Sequence, residues 1–411
     1  MDESTKLQRI AILGSHISWD GGVDFLCYLV QSIQSAENNK LLKLYLILPH
    51  DFISRLKTFV LQLKFAIHQP SLLIDKKTKL FENKNLKLIQ GFKVNAIDVE
   101  IVYYNYTKND LIKKLKYIQA DILFPSIRSL GGNFPIPWVG YIPDLQHKHF
   151  PDNFSKEECL SRDHKYQELL NDSGSLFVNS VEARNDLLTY YTCNDKNVFC
   201  LPFCPPAPLI EISEELSQKI LQKYKLPEKF FIISNQFWKH KSHITAFKAL
   251  AELINEGTHD IELICTGKPY DDKDPAFIES LFQQIKTLGI EHKIRFTGFL
   301  PKTDQLVIMS KSIALIQPTL FEGGPGGGSV YNAISYGTPC IISDIAINKE
   351  VKGNSIYFFK AGDASDLKNR MKELLHITHP TKTFKELTEE GNNRTTALGH
   401  SMFAVFKNSM S

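Results

Sequence analysis

The chain has 411 residues, 43% hydrophobic and 23% charged, an ordinary balance for a globular protein with room for two or three domains. A net charge of +3 argues against a dedicated nucleic-acid binder, and apolar runs such as 41–49 fall far short of the ~20 residues that cross a bilayer. Seven cysteines without a C-x-x-C pair, and no signal-peptide pattern after Met1, fit a reducing cytoplasm.

Strand and helix signals alternate along the chain, which predicts α/β layers with parallel sheets. Residues 10–13 form a short apolar strand. It runs into a loop holding Gly14, Gly21 and Gly22, and a helix follows from 23 to about 33. A strand, a glycine loop and a helix N-terminus make an anion-binding geometry, though without the G-x-G-x-x-G dinucleotide fingerprint. A second strand covers 42–48. Residues 51–120 carry 13 Lys or Arg against 6 Asp or Glu, which reads either as a solvated basic face or as attraction to an anionic membrane or polyanionic glycan. Strand patterns recur at 102–106, 121–124 and 138–142.

The segment 141–151 (YIPDLQHKHFP) is a polar cluster at a strand end, where open α/β sheets place ligand groups. Its residues include Asp144, His147 and His149. No further Cys or His cluster completes the His-x-His, so no metal site is assigned. A helix over 155–170, a strand over 175–178 and a helix over 180–190 with Ser180 as N-cap follow. The Pro-rich run 201–208 is a stiff linker and marks a boundary between domains 1–205 and 206–382.

The second half repeats the pattern. A strand at 230–234 enters a basic polar loop with Gln236, Lys239 and Lys241. The strand at 261–266 ends in Gly267-Lys268, which is not a Walker A loop, and Asp271–Asp274 reads as solvated loop charge. A turn around Gly298, Phe299 and Leu300 precedes a helix from 303. The strand 313–317 then leads to Phe321, Glu322 and five glycines, Gly323, Gly324, Gly326, Gly327 and Gly328, around Pro325. Such a loop can take positive φ and approach a ligand closely. Ser329 is the expected N-cap of a helix over 330–336, giving a second anion site of free N–H groups and positive dipole. Strands at 340–343 and 355–359, a helix from 363 and a helical tail from about 383 complete the chain.

Phe321-Glu322-Gly323, Gly337-Thr338-Pro339 and Ser343-Asp344 resemble the donor-binding core of the retaining family-4 (group 1) glycosyltransferases of GT-B fold. Asp144-Leu145-Gln146-His147 is similar to a segment of that family's mannosyltransferase-like variants. The resemblance implies two Rossmann-like α/β domains facing a cleft, with the tail 383–411 packing back on the first. It implies that Glu322 contacts the donor sugar, that Lys241 clamps the leaving diphosphate, and that Gly21 and Gly22 approach it from the first domain. Gly298 would wall the nucleobase pocket. Gly323, Gly324, Gly326, Gly327, Gly328, Ser329 and Val330 would hold the donor from the second domain. Asp144 and His147 would face the sugar, His147 filling the place where the family has a His and this chain has Pro143. Two departures stand out. Asn332 occupies the position of the family's ribose-binding Glu, and Gln236 that of its Arg; Lys239 and Arg128 are the candidates to replace that charge.

The implied activity is transfer of a sugar from a nucleotide diphosphate sugar to a hydroxyl of a glycan, lipid-linked or other acceptor. It would retain the anomeric configuration and require no metal and no cofactor beyond the co-substrate. Polysaccharide biosynthesis, a cytoplasmic location and peripheral contact with an anionic inner membrane face fit the same picture. Two rivals follow from the residues: a non-catalytic donor-binding or scaffolding subunit, which the loss of both charges favours, and a GT-B-shaped sugar-nucleotide epimerase.

Overall fold

A computed structural model of the chain describes residues 9–15, 17, 20–36, 42–50, 84–201, 204–271, 274–353, 355–377 and 382–410. Residues 51–83 of the basic stretch, residues 16, 18 and 19 of the first glycine loop, Pro202, Phe203, Asp272 and Lys273 lie outside the described residues.

Seven strands form the first sheet: β1 (Arg9–Leu13), β2 (Lys43–Pro49), β3 (Glu100–Tyr104), β4 (Ile122–Ser126), β5 (Trp138–Tyr141), β6 (Ser175–Val178) and β7 (Val198–Cys200). Their order is β3-β2-β1-β4-β5-β6-β7, all parallel. The second sheet holds β8 (Phe230–Ser234), β9 (Glu262–Thr266), β10 (Ile294–Gly298), β11 (Leu315–Gln317), β12 (Cys340–Ser343) and β13 (Ile356–Phe359) in the order β10-β9-β8-β11-β12-β13, again parallel. Helices cover both faces, so the central strands are apolar throughout rather than alternating. β8 (FFIIS) is buried along its whole length, and each such Phe or Ile contributes roughly 1.5–3 kcal/mol by leaving water. This is the α/β, GT-B arrangement of two Rossmann-like sheets with a cleft between them.

Each sheet has one switch point, between β1 and β4 and between β8 and β11, where the chain leaves in one direction and returns on the other side. Loops following the two strands at such a point diverge and open a crevice at their carboxyl ends. In the second sheet those loops begin at Asn235 and Pro318, and they carry Lys241 and Glu322.

The C-terminal helix Phe384–Met410 returns to the first sheet and lies along the helix Asp20–Ala36. Small residues make this possible. A Cβ at Gly399 would stand 1.9 Å from the Ser32 carbonyl, and one at Gly391 would stand 2.3 Å from the Ala207 Cα in the linker. Phe406 completes the contact against Phe124, ring centroids 4.8 Å apart.

Two helix starts differ from expectation. The first helix begins at Asp20, so Gly21 and Gly22 occupy its first turn rather than a loop. The glycine helix spans Gly327–Ser335, and its N-cap is Gly326 at φ 69°, not Ser329. A glycine in left-handed conformation turns the chain into the helix without a side-chain cap. Ser329 therefore lies within the first turn.

Candidate functional site at the β8–β11 switch point

The two loops at the crevice are tied together by backbone before any side chain meets. Leu320 N–H donates to the His240 carbonyl at 2.7 Å, and the Thr319 hydroxyl donates to the Phe321 carbonyl at 2.6 Å. Ser343 in turn donates to the Thr319 carbonyl at 2.5 Å. A short turn, Lys239–Lys241, then aims Lys241 inward. Lys241 Nζ lies 2.6 Å from Glu322 Oε1, with the residues only 9% and 8% exposed. Taking both charges out of water costs several kcal/mol per ion that their attraction only partly repays, so a pair buried this far is weak as a stabilising device. It is a fixed dipole at the rim of a cleft.

Gln317 closes β11 and is buried beside the pair, its Nε2 donating to Glu322 Oε1 at 2.7 Å and to the Gly326 carbonyl at 3.2 Å. Asn235 Nδ2 donates to Gln317 Oε1 at 2.6 Å. The Gly326 N–H donates to Asn348 Oδ1 at 3.0 Å, so the glycine loop is anchored where it enters the helix. That helix N-terminus has free first-turn amides, as every α-helix does. Gly267, at the end of β9, allows the Asn235 loop to pass: a Cβ there would sit 2.4 Å from the Asn235 carbonyl.

The pair, Gln317, Gly327, Gly328, Ser329 and Asn332 line a cleft of about 1630 Å³. Gln236, Trp238, Leu300 and Gln305 line it from the second half, and Gly21, Gln31, Lys87 and Asn95 from the first. The Asn332 carboxamide makes no hydrogen bond with another described residue and is open to the cleft. Across the mouth, Lys302 reaches Asp24 of the first helix at 2.8 Å. Arg128 and Lys239 do not line the cleft.

Other predicted residues are placed differently. The space of a Cβ at Gly323 is taken by the Pro143 carbonyl (2.8 Å) and Asp144 Cβ (3.2 Å), and that at Gly324 by Asn179 Cβ (3.2 Å). Asn179 Nδ2 also donates to the Gly323 carbonyl at 3.3 Å. These two glycines thus let the halves of the chain touch, while Gly327 and Gly328 face the cleft. Gly22 and Val330 are buried, the latter in the core of the second half. Gly298, at φ 70°, accepts from the Gly267 N–H at 2.8 Å, and Phe299 and Leu300 beyond it line the cleft.

Asp144 borders a second, smaller pocket of about 170 Å³ on the other side of the Glu322–Gly323 turn. Its Oδ1 accepts from the Gln146 N–H at 3.0 Å and from Arg162 at 3.3 Å. His147 points away from the cleft, its Nε2 within 2.9 Å of Asp163 and 3.1 Å of the Tyr191 hydroxyl. Its neighbour Gln146 meets the second half instead, Nε2 standing 3.0 Å from His240 Nδ1. On a one-turn helix, Gln146–His149, consecutive side chains point in different directions, and the sequence does not say which faces inward.

Histidines around the pair are held neutral. Burial, with Lys241 adding to it, pushes both His240 and His243 down to about 3. His243 lies flat on Phe237, ring centroids 4.2 Å apart. Burial likewise lowers His147 below its ordinary value.

Sequence reasoning missed Gln317, Asn235 and Gln305. The available signal was a Gln at the end of an otherwise apolar strand, since a buried carboxamide must find partners.

Residues 216–394 match the family described as Glycosyl transferases group 1. The chain is 24% identical over 135 residues to mannosylfructose-phosphate synthase of Agrobacterium fabrum, covering 32% of this chain and 29% of that protein. It is 23% identical over 160 residues to the O-antigen chain mannosyltransferase RfbU of Salmonella typhimurium, covering 39% and 42%. Both matches thus span less than half of the relatives' length. Among solved structures, HepE of Anabaena in complex with UDP and glucose aligns over 98% of this chain and 100% of its own with a TM-score of 0.66. At 12% identity that likeness speaks for the fold.

Proposed function

We propose, from the match of residues 216–394 to the group 1 glycosyl transferases, that the chain transfers a sugar from a nucleotide diphosphate sugar to a hydroxyl acceptor, with retention at the anomeric carbon. The observation that carries the reading is the Lys241–Glu322 pair at the mouth of the glycine helix. A diphosphate leaving group gains charge as the glycosidic bond breaks. The Lys241 ammonium and the first-turn amides at Gly327, Gly328 and Ser329 are preorganised to receive that charge in a site partly closed to water. Glu322 presents a carboxylate to the sugar hydroxyls. With neutral His240 and His243, the described histidines nearest the pair are poor proton donors near neutral pH, which suits a reaction in which the departing phosphate assists the incoming hydroxyl.

The acceptor side is the first half, whose cleft face carries Gln31, Gln34, Gln90 and Asn95 beside Asp24 and Lys87, and those carboxamides hydrogen-bond a glycan hydroxyl as well as they do water. Metal independence belongs to the same proposal, because Lys241 and the helix N-terminus supply the charge that a cation otherwise would. A glycan or lipid-linked acceptor, a place in polysaccharide biosynthesis and a cytoplasmic site of action complete it.

The second reading, a donor-binding subunit without turnover, rests on Asn332 and Gln236, carboxamides where the family carries Glu and Arg. One experiment separates them. The protein is titrated by calorimetry with UDP-glucose, GDP-mannose, ADP-glucose and dTDP-glucose, then incubated with the one that binds and a panel of glycan acceptors, with and without EDTA. Transfer that survives EDTA and gives the donor's anomer in the product supports the enzyme. Binding without transfer supports the subunit. Conversion of the donor with no acceptor present points to an epimerase.

A further inference from the structure

The oxygens of the Glu322 carboxylate are treated differently by the protein. Oε1 accepts from both Lys241 Nζ (2.6 Å) and Gln317 Nε2 (2.7 Å). Oε2 accepts from no described residue and lies over Gly327, where a Cβ would stand only 3.1 Å away. A side chain at 327 would press on that oxygen, whereas glycine leaves it open to the cleft.

The orientation of the Gln317 carboxamide is determined by groups that cannot turn. With Nε2 toward Glu322, it donates to the carboxylate and to the Gly326 backbone carbonyl, while Oε1 receives the Asn235 amide. Turned by 180°, its oxygen would face a carboxylate and a carbonyl, two acceptor–acceptor contacts in a residue only 1% exposed. Turning Asn235 as well relieves neither. Buried carboxamides left without donors or acceptors are costly, so one orientation is populated.

We infer that Gln317, held by Asn235, is a positioning residue that saturates Glu322 Oε1 and leaves Oε2 as the single acceptor for a hydroxyl of the donor's sugar. This rests on the proposed function and deepens it. It assigns the sugar half of the donor, rather than its nucleoside or phosphates, as the part whose recognition depends on Gln317.

Titratable groups facing Glu322 are few. Lys241 comes from the turn after β8. Tyr331, from the glycine helix, is kept protonated by burial. Asp144, after β5, is paired with Arg162, and Glu182 and Asp186 stand across the smaller pocket, the latter bound to His149 at 2.6 Å.

The test is Gln317→Glu, which keeps the shape, replaces the donor end with an acceptor and sets a like charge against Glu322. Like charges at one site raise the pair's proton affinity, and a shared proton restores the missing donor. Calorimetry is run from pH 8 to pH 5.5 with the nucleotide sugar that wild type binds and with its bare nucleoside diphosphate. The expected result is affinity for the nucleotide sugar lowered tenfold or more at pH 8 and recovering at pH 5.5, with a several-fold smaller loss for the nucleoside diphosphate, which feels the new charge only through Lys241 and Ser329. Wild type should show no such recovery. Asn235→Asp, on the loop rather than in the strand, gives a second route: it removes the donor to Gln317 Oε1 and sets a charge against it, loosening the carboxamide, and should weaken the nucleotide sugar more than the nucleoside diphosphate. Equal loss of both ligands, or unchanged binding of both at every pH, overturns the positioning role while leaving the donor site intact. If wild type binds none of the four nucleotide sugars, the functional reading itself fails and this inference with it.

Discussion

The two switch points of the molecule have the same topology and different contents. At β8–β11 the diverging loops are tied by backbone hydrogen bonds and present a buried ion pair, two interlocked carboxamides and a glycine-led helix N-terminus. At β1–β4 the chain enters the helix Asp20–Ala36 with two glycines in its first turn, and the cleft face beyond carries the carboxamides Gln31, Gln34, Gln90 and Asn95 beside the charged Asp24 and Lys87. The fold supplies a crevice in both places. Among the described residues the second holds a buried ion pair, Lys241–Glu322, which is what a site for a charged leaving group needs. A wall rich in hydrogen-bonding carboxamides is what a site for neutral hydroxyls needs.

Removing one charge from the second switch point should do the most damage to this contrast. Lys241→Ala leaves Glu322 buried without its counter-ion and should cost roughly 3–5 kcal/mol of stability, read by urea denaturation, together with nucleotide-sugar binding. Lys302→Ala instead removes the exposed pair with Asp24 at the cleft mouth and should cost less than about 1 kcal/mol.

A smaller effect concerns pH. In the folded protein His240 and His243 titrate near 3 rather than at the ordinary value of about 6.5, so between those values the unfolded chain binds more protons. The stability they confer is fully present above about pH 6.5 and is lost as pH falls toward 3. His243→Phe, which keeps the stack on Phe237, should leave stability at pH 7.5 nearly unchanged. At pH 5 it should recover about 2 kcal/mol, checked by urea melts at both pH values.

A finer prediction addresses the first departure from the family pattern. Asn332→Glu puts a charged acceptor at a cleft position with no hydrogen-bonding partner among the described residues. It should tighten nucleotide-sugar binding by about 1 kcal/mol, roughly fivefold, with no gain for a donor lacking the ribose hydroxyls.

Much of this architecture is legible in the residues alone. The strands 175–178, 230–234 and 340–343 can be read to the residue because each is a short apolar run bounded by turn or polar residues. Glu322 and Lys241 are legible as a pair only through the resemblance, since their 81 residues of separation are closed by the β8–β11 pairing. The glycines are legible as a loop but not by role. Gly323 and Gly324 serve contact with Asp144 and Asn179, which are distant in sequence, so nothing local distinguishes them from Gly327. Ser329 looks like a cap because hydroxyl caps are frequent, whereas a left-handed Gly326 starts the helix. His147 turns to Asp163 while Gln146 meets His240, because the facing of one short turn is not written in its residues.

If the charged switch point holds a nucleotide sugar, removing its charge without unfolding the protein must abolish binding. Calorimetric titration of the four nucleotide sugars into wild type and into the double variant Lys241→Met/Glu322→Leu tests this directly. Replacing both charges with apolar side chains of similar length should keep the fold, because no buried charge is left unpaired. The expected result is that one nucleotide sugar binds wild type and that its binding is lost in a double variant that still unfolds cooperatively. Undiminished binding to that folded double variant would contradict the assignment of the site.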